Sequence, residues 1–274
     1  MKKILITGSS GFIGYTLAKR LLDAGHSITG IDNHNAYYNP RLKDKRKALL
    51  ESHSNFSHYN LNLYDPLALG SVFDANHFDQ VINLAAEVGV RNSVLNPKDY
   101  INTNIKGFFN LIDCVKESGV KSFIYASSSS VYGGIRELPF KENTKVDNPL
   151  NLYAATKMSN ELISSAYSHL FDIQITGLRF FTVYGPWGRP DMAPFKFLRK
   201  ILNNEPIDIY NNGEHSRDFT FVDDIVEGIT LVSQSHFKDK ASHSHTVYNI
   251  GNGQPIKLMS FLEALEEVTE KKAI

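Results

Sequence analysis

The chain has 274 residues, enough for one large domain or two modest ones around a sizeable core. Lys and Arg total 29 and Asp and Glu total 29, a zero balance that excludes electrostatic capture of nucleic acid or an acidic membrane. Apolar content of 42% and charged content of 21% are ordinary for a soluble globular protein, and no apolar run approaches the roughly 18 residues of a membrane span.

Met1-Lys2-Lys3 before Ile4-Leu5-Ile6 mimics the start of a signal peptide, but Gly8 ends the apolar run too early. Lys3 to Thr7 instead reads as a short buried strand. Gly8-Ser9-Ser10-Gly11-Phe12-Ile13-Gly14 follows, then an amphipathic helix with Leu17, Leu21 and Leu22 on one side, ended near Gly25. Ser27 to Asp32 reads as a second strand. This is a βαβ unit with a glycine-rich first turn. Glycines let the backbone approach a pyrophosphate, and the helix N-terminus favours its charge. Asp32 lies 18 residues after Gly14, at a strand end where a carboxylate accepts hydrogen bonds from ribose hydroxyls. It repels a 2′-phosphate, and Asn33 adds no positive charge, so the unit predicts NAD rather than NADP.

Residues 35–54 form a polar insertion in which Lys43-Asp44-Lys45-Arg46-Lys47 reads as a solvated helix face. Further strands are predicted at Ser57 to Leu61, Gln80 to Leu84, Ser122 to Ser127 and Gln174 to Phe181. Helical patterns lie near 66–76, 98–118 and 151–171. The alternation implies an α/β fold with a doubly wound parallel sheet. Ligands on such sheets sit at the carboxyl ends of strands. Leu84-Ala85-Ala86, Ser127 to Ser130 and Phe180 to Thr182 lie at such ends, and small residues at 85 and 86 let a flat group lie close. Cys114, between Leu111 and Val115, cannot form an internal disulfide and reads as a buried structural thiol, which fits a reducing cytoplasm.

Tyr153-Ala154-Ala155-Thr156-Lys157 places a phenol and an ammonium on one helix face. A phenol with an ordinary pKa of about 10 is a poor base at neutral pH, and a nearby ammonium favours the phenolate. The pair then suits removal of a proton from a substrate hydroxyl. The hydroxyls of Ser127 to Ser130 are placed to orient the same oxygen. The bland alternative is a plain helix carrying Tyr and Lys by chance.

After Tyr184 the pattern changes. Gly185 to Asp191 is a breaker-rich loop. A helix from Pro194 to Asn203 follows, then Ile207 to Tyr210, the loop Asn211-Asn212-Gly213, and a strand-like run opening at Arg217. Ser233 to His245 is polar and contains His236 and His243. It reads as a mobile surface loop rather than a metal cluster, and no metal is expected.

Taken together, Gly8-x-x-Gly11-x-x-Gly14, Leu84-Ala85-Ala86, Ser127-Ser128-Ser129 and Tyr153-x-x-x-Lys157 resemble the extended short-chain dehydrogenase/reductases. These are the NAD-dependent nucleotide-sugar epimerases and dehydratases. Three stretches resemble the UDP-glucuronate 4-epimerases among them: Asp32 to Tyr38 with the basic insertion, Arg179 to Met192, and Arg217 to Asp224. The resemblance implies a Rossmann domain over 1–181 and a smaller substrate-binding part over 182–274. Family members usually continue past the segment ending at Ile274, so that part is expected to be incomplete.

The resemblance also implies roles. Tyr153 is the base, Lys157 holds the nicotinamide ribose and lowers the Tyr153 pKa, and Ser128 bonds the substrate O4. Cofactor contacts are implied at Gly8, Gly11, Phe12, Ile13, Gly14, Asp32, Asn33, Asn62, Leu63, Leu84, Ala85, Ala86, Asn104, Tyr153, Lys157 and Phe180. Asn62 stands where the family usually has Asp, and its carbonyl still accepts from the adenine amino group. Substrate contacts are implied at Ser128, Ser129, Thr182, Arg189, Tyr210 and Arg217, with Arg217 on the UDP diphosphate. A homodimer through the helices near 100–118 and 153–170 is implied as well.

The expected reaction is therefore 4-epimerisation of a UDP-hexuronic acid through a 4-keto sugar. The 4,6-dehydratases carry Asp-Glu where this chain has Ser129-Ser130, and the UDP-glucuronate decarboxylases carry Glu at the position of Ser130. A UDP-glucose or UDP-N-acetylhexosamine 4-epimerase is the alternative substrate reading. A non-catalytic NAD-binding scaffold is the alternative of another class.

Overall fold

The computed structural model describes residues 1–238 and 245–274. Strands β1 (Lys3–Thr7), β2 (Ser27–Ile31), β3 (Phe56–Tyr59), β4 (Gln80–Asn83), β5 (Ser122–Ser128) and β6 (Gln174–Phe180) alternate with helices. The helices are α1 (Phe12–Asp23), α2 (Arg41–Glu51), α3 (Pro66–Ala75), α4 (Val90–Leu95), α5 (Pro97–Tyr100), α6 (Phe108–Glu117) and α7 (Leu152–Leu170). Beyond them come β7 (Thr182–Tyr184), α8 (Ala193–Leu202), β8 (Ser216–Phe221), α9 (Val222–Lys238), β9 (His245–Ile250), β10 (Pro255–Lys257) and α10 (Leu258–Thr269). The main sheet runs β3-β2-β1-β4-β5-β6-β9, and every pair in it is parallel. This is the doubly wound sheet that the strand–helix alternation predicts. Its winding reverses between β1 and β4, and the crevice lies there.

Alternation along β1 divides the core. Ile4 and Ile6 pack with Leu17, Leu178 and Ile225 on one face, while Leu5 packs with Leu69, Val81 and Leu111 on the other. Helix starts are set locally. The Asp65 carboxylate accepts from the Leu67 and Ala68 amides, with Pro66 at the first helical position of α3. The Asn151 side chain accepts from the Ala154 amide and so fixes where α7 begins. Cys114 is only partly buried, against the second core face, where burial pushes its thiol up to about 11.

Two expectations are refined and one, the surface loop around His236, is corrected. The helical pattern near 98–118 is interrupted by a π-helical turn, Ile101–Gly107, where the Asn104 carbonyl accepts from Asn160 of α7. The strand-like run from Arg217 ends at Phe221, and Val222 opens α9. His236 lies on α9 rather than in a surface loop. Its Nδ1 and Nε2 share hydrogen bonds of 2.8 Å with Ser122 and Thr176, which dock the helix on the sheet. His245 opens β9 and bonds the Tyr125 hydroxyl, while His243 lies outside the described residues. Because β9 completes the main sheet, residues after 181 are not all separate from it. A second sheet, β10-β8-β7, carries α8 and α10 beside it.

Burial pushes His58, His236 and His245 down to about 4. An unfolded imidazole titrates near 6.5, so the unfolded chain takes up these protons first as pH falls. Their contribution is fully present above about pH 6.5 and is lost between about 6.5 and 4, each costing on the order of a few kcal/mol. The melting temperature measured by calorimetry is expected to fall between pH 7 and pH 5, and His236→Gln to flatten that fall. A melting temperature constant over that range would contradict this.

Candidate active site

The first wall of the crevice is the turn from β1 to α1. Gly8 has φ +70, and a Cβ there would lie 2.8 Å from the Ala85 amide nitrogen. A Cβ on Gly14 would lie 2.0 Å from the Gly8 carbonyl oxygen. Only glycine lets the turn, α1 and the end of β4 close this tightly. Asp32, at the end of β2 and 6% exposed, accepts from the Ser10 amide at 3.2 Å and the His34 amide at 2.9 Å. Asn33 donates from its side chain to the Asn62 side-chain oxygen Oδ1 at 2.8 Å and ties the loops after β2 and β3 together.

The basic run on α2 is not a solvated face throughout. Lys43, Arg46 and Leu50 are its buried residues. They fall at i, i+3 and i+7, the spacing of a single helix face. Lys43 reaches Asn35 at 2.8 Å and Asp32 at 3.4 Å. Arg46 is fully buried and donates to the Ser10 carbonyl at 3.0 Å and the Tyr38 hydroxyl at 2.8 Å. Positive charge therefore stands beside Asp32, supplied by Lys43 and not by its chain neighbour.

The second wall comes from the end of β4. Thr7 donates to the Asn83 side chain at 2.5 Å and accepts from the Ala85 amide at 3.2 Å, which sets Leu84, Ala85 and Ala86 against the turn. Glu87 accepts from Asn35 at 2.6 Å, and burial pushes its carboxyl up against that hydrogen bond. Asn104 grips the Glu87 backbone from both sides, at 2.8 and 3.0 Å, from behind the crevice.

The far end is built by β5, α7 and β6. Lys157 is 3% exposed, and its ammonium donates to the Ala126 carbonyl at 2.8 Å. Burial pushes it down to about 8, against the charge of Glu161 one turn on. Glu161 is itself held by Arg179 at 2.7 Å and by Ser127 at 2.5 Å. Tyr153 packs edge-on against Tyr100, and the Lys157 ammonium is 5.9 Å from its ring centre. Burial raises the phenol, while Ser128 and then Arg189 pull it down. The expected lowering by Lys157 is not among these effects, because its ammonium is turned to Ala126. Ser128 ends β5 and bonds Ser130 at 3.2 Å.

Gly8, Gly11, Phe12, Ile13, Gly14, Asp32, Asn33, Asn62, Leu63, Leu84, Ala85, Ala86, Ser128, Tyr153, Lys157, Phe180 and Arg189 all line one cavity. Asn104, Ser129, Thr182, Tyr210 and Arg217 are not part of its wall. Ser129 opens a tight turn directly after Ser128, and Thr182 opens β7 directly after Phe181. Tyr210 is exposed, with the Arg91 guanidinium 4.3 Å from its ring centre. Arg217 is exposed on β8 and donates to the Ser216 carbonyl. Lys43, Asn35, Tyr37, Tyr38 and Glu87 line the cavity without having been named as site residues from the sequence, although all but Glu87 fall in the stretch from Asp32 through the basic insertion that carried the resemblance.

The model of the NAD-dependent epimerase/dehydratase family matches residues 4–251. The chain belongs to that family. It is 49% identical to "Protein CapI" of Staphylococcus aureus, over 99% of this chain and 84% of that protein. It is 43% identical to a "Probable UDP-glucuronate 4-epimerase" of Rhizobium meliloti, over 99% and 84%. Its fold matches the UDP-glucuronic acid 4-epimerase of Bacillus cereus in complex with UDP-glucuronic acid and NAD. That match has a TM-score of 0.89 and 33% identity, and covers 99% of this chain and 84% of the other.

The cavity of this epimerase/dehydratase fits the family's cofactor. A glycine turn closed to side chains, a buried carboxylate at one end and a phenol–ammonium pair at the other match a pyrophosphate, an adenosine ribose and a nicotinamide ribose. Asp32→Ala removes the group that repels a 2′-phosphate and leaves Lys43 to meet it. We expect the variant to gain NADP affinity by roughly tenfold to a hundredfold, since a hydrogen bond to a charged group contributes about 1.5–3 kcal/mol. Titration of nucleotide-free protein measures this, and NADP released from denatured wild type would contradict it.

Proposed function

We propose that the chain catalyses the NAD-dependent interconversion of UDP-glucuronate and UDP-galacturonate by inversion at C4. The observation that carries this reading is the single cavity lined by the glycine turn, Asp32, Tyr153, Lys157, Ser128 and Arg189. Relatives and solved structures named for this activity support it. Asp32 receives the adenosine ribose, the glycine turn the pyrophosphate, and Ala85 and Ala86 leave room for the chain of the dinucleotide. When bound, NAD accepts a hydride from C4 and returns it.

Tyr153 takes the O4 proton, with Ser128 orienting that oxygen and Lys157 supplying positive charge at the nicotinamide ribose. Loss of the O4 proton and the C4 hydride leaves a ketone at C4. The sugar turns in the site, the hydride returns to the other face, and Tyr153 gives the proton back. The net reaction is redox-neutral. A C4 ketone is β to the C5 carboxylate, so the sugar is prone to lose carbon dioxide. Ser128, Ser129, Thr182 and Arg189 hold the carboxylate with its bond near the carbonyl plane and suppress that loss. The part after residue 181, including Tyr210 and Arg217, receives the UDP. Exposed Ile101, Phe109 and Leu162 on the helices near 100–118 and 153–170 fit a homodimer. No helix among the described residues is long and apolar enough to cross a membrane, and we place the enzyme in the cytoplasm, in polysaccharide precursor synthesis.

Incubation with UDP-glucuronate, UDP-glucose and UDP-N-acetylglucosamine separately, with products resolved by proton NMR, tests the reading. Conversion of UDP-glucuronate alone, or far faster than the others, is the expected result. Equal turnover of UDP-glucose would promote a neutral-sugar 4-epimerase in its place.

A further inference from the structure

The loop that carries Arg189 is held by the polar insertion after β2. Asp191 clamps the Arg189 guanidinium with two hydrogen bonds, to Nε at 3.0 Å and Nη2 at 2.5 Å. Tyr37, from the insertion, donates its hydroxyl to the same carboxylate at 3.0 Å. The Tyr37 ring lies under the guanidinium, with Cζ 5.4 Å from the ring centre. One insertion side chain thus touches both members of the pair.

The start of the loop is anchored by the same insertion. Arg46 donates to the Trp187 carbonyl, and the Trp187 ring packs on Tyr15 of α1 at 5.7 Å. Trp187 has φ +61, a left-handed conformation that a bulky residue adopts only where its surroundings hold it. Gly89 makes room for Tyr37, since a Cβ there would lie 2.7 Å from the Tyr37 hydroxyl.

We propose that Tyr37 is a positioning residue for Arg189, acting through Asp191, so that the insertion after β2 sets the preference for an acidic sugar. This rests on the reading above, in which Arg189 meets the hexuronate carboxylate. A guanidinium recognises a carboxylate through a planar fork, and its angle decides whether both bonds form. Asp191 uses one edge of the fork and so fixes its plane. Tyr37 fixes Asp191 and bars the guanidinium from tilting away. Burial pushes the Asp191 carboxyl up, but the hydrogen bonds and charge of Arg189 and the hydrogen bond from Tyr37 together outweigh this, and the group is held below the usual carboxylate range. Asp191 thus stays charged and keeps its grip at neutral pH.

The test is binding, measured calorimetrically on the NAD-loaded protein for UDP-glucuronate and UDP-glucose. Wild type is expected to favour the acidic sugar. Tyr37→Phe, which keeps the ring and removes only the hydroxyl, is expected to cut that preference about fivefold to tenfold, on the scale of one hydrogen bond to a charged group. UDP-glucose affinity should change less than about twofold, and the melting temperature should hold. Tyr37→Leu, which also removes the ring, should cut the preference further. In an Arg189→Ala background, Tyr37→Phe should change the preference no further, because the two act as one unit. A Tyr37→Phe variant that keeps the full preference overturns the proposal and leaves the epimerase reading standing. Additive losses in the double variant, or equal losses for both sugars, overturn it too. If wild type prefers the acidic sugar but does not turn it over, the epimerase reading fails and the positioning role stands. If wild type has no such preference, both fall.

Discussion

Tyr153→Phe is expected to cut turnover of UDP-glucuronate by about 100- to 10,000-fold, the range a positioned acid–base group contributes. The fold and the NAD content should stay near wild type. The phenol hydroxyl makes none of the hydrogen bonds that hold α7, whose start is fixed by Asn151 and whose docking runs through Asn160, Glu161 and Lys157. Removing one oxygen therefore changes chemistry and not packing. Burial raises the Tyr153 phenol, so proton removal from it needs help. Ser128 and then Arg189 supply it by pulling the phenol down. Pre-steady-state absorbance at the reduced-nicotinamide band, together with product NMR, checks the result. A variant that retains most of the wild-type rate would rule out Tyr153 as the base.

Arg189→Ala is expected to lower kcat/KM for UDP-glucuronate by roughly 10- to 150-fold, as loss of hydrogen bonds between charged groups implies. Affinity for UDP itself should change far less, because the loss falls at the hexose end. The variant also strands Asp191, whose carboxylate would keep the Tyr37 hydroxyl but lose the cation it pairs with. An uncompensated, partly buried charge costs stability, so a lower melting temperature is part of the expectation. Looser grips should leak. Thr182→Ala or Ser129→Ala is expected to let some 4-keto sugar decarboxylate to a 4-keto-pentose, with reduced cofactor left on the enzyme. UDP competition assays separate the effects, and an equal loss of UDP affinity and turnover would contradict the assignment of Arg189 to the carboxylate.

Much of this site is legible in the residues, for physical reasons. A strand, three glycines at 8, 11 and 14, a helix and an acid at 32 admit few backbone solutions. Tyr153 and Lys157 at i, i+4 must share a helix face, and that face meets the end of β5. What escapes a sequence reading is burial created by distant chain. The run from Lys43 to Lys47 reads as solvated, since nothing local says that α2 folds back onto the glycine turn. The i, i+3, i+7 spacing of Lys43, Arg46 and Leu50 is the one signal of it, and Leu50 is its only apolar member. His236 is similar: the residues before it are polar, but its partners Ser122 and Thr176 come from strands 114 and 60 residues away. The π-helical turn at Ile101–Gly107 depends on Asn160 of another helix, beyond the reach of local propensity.

The most direct test of the central claim uses UDP-glucuronate carrying deuterium at C4. If the C4 hydride leaves and returns within one site, the UDP-galacturonate formed by the NAD-loaded enzyme will keep that deuterium, with none lost to water. UDP-galacturonate carrying solvent hydrogen at C4, or no UDP-galacturonate at all, would contradict the account.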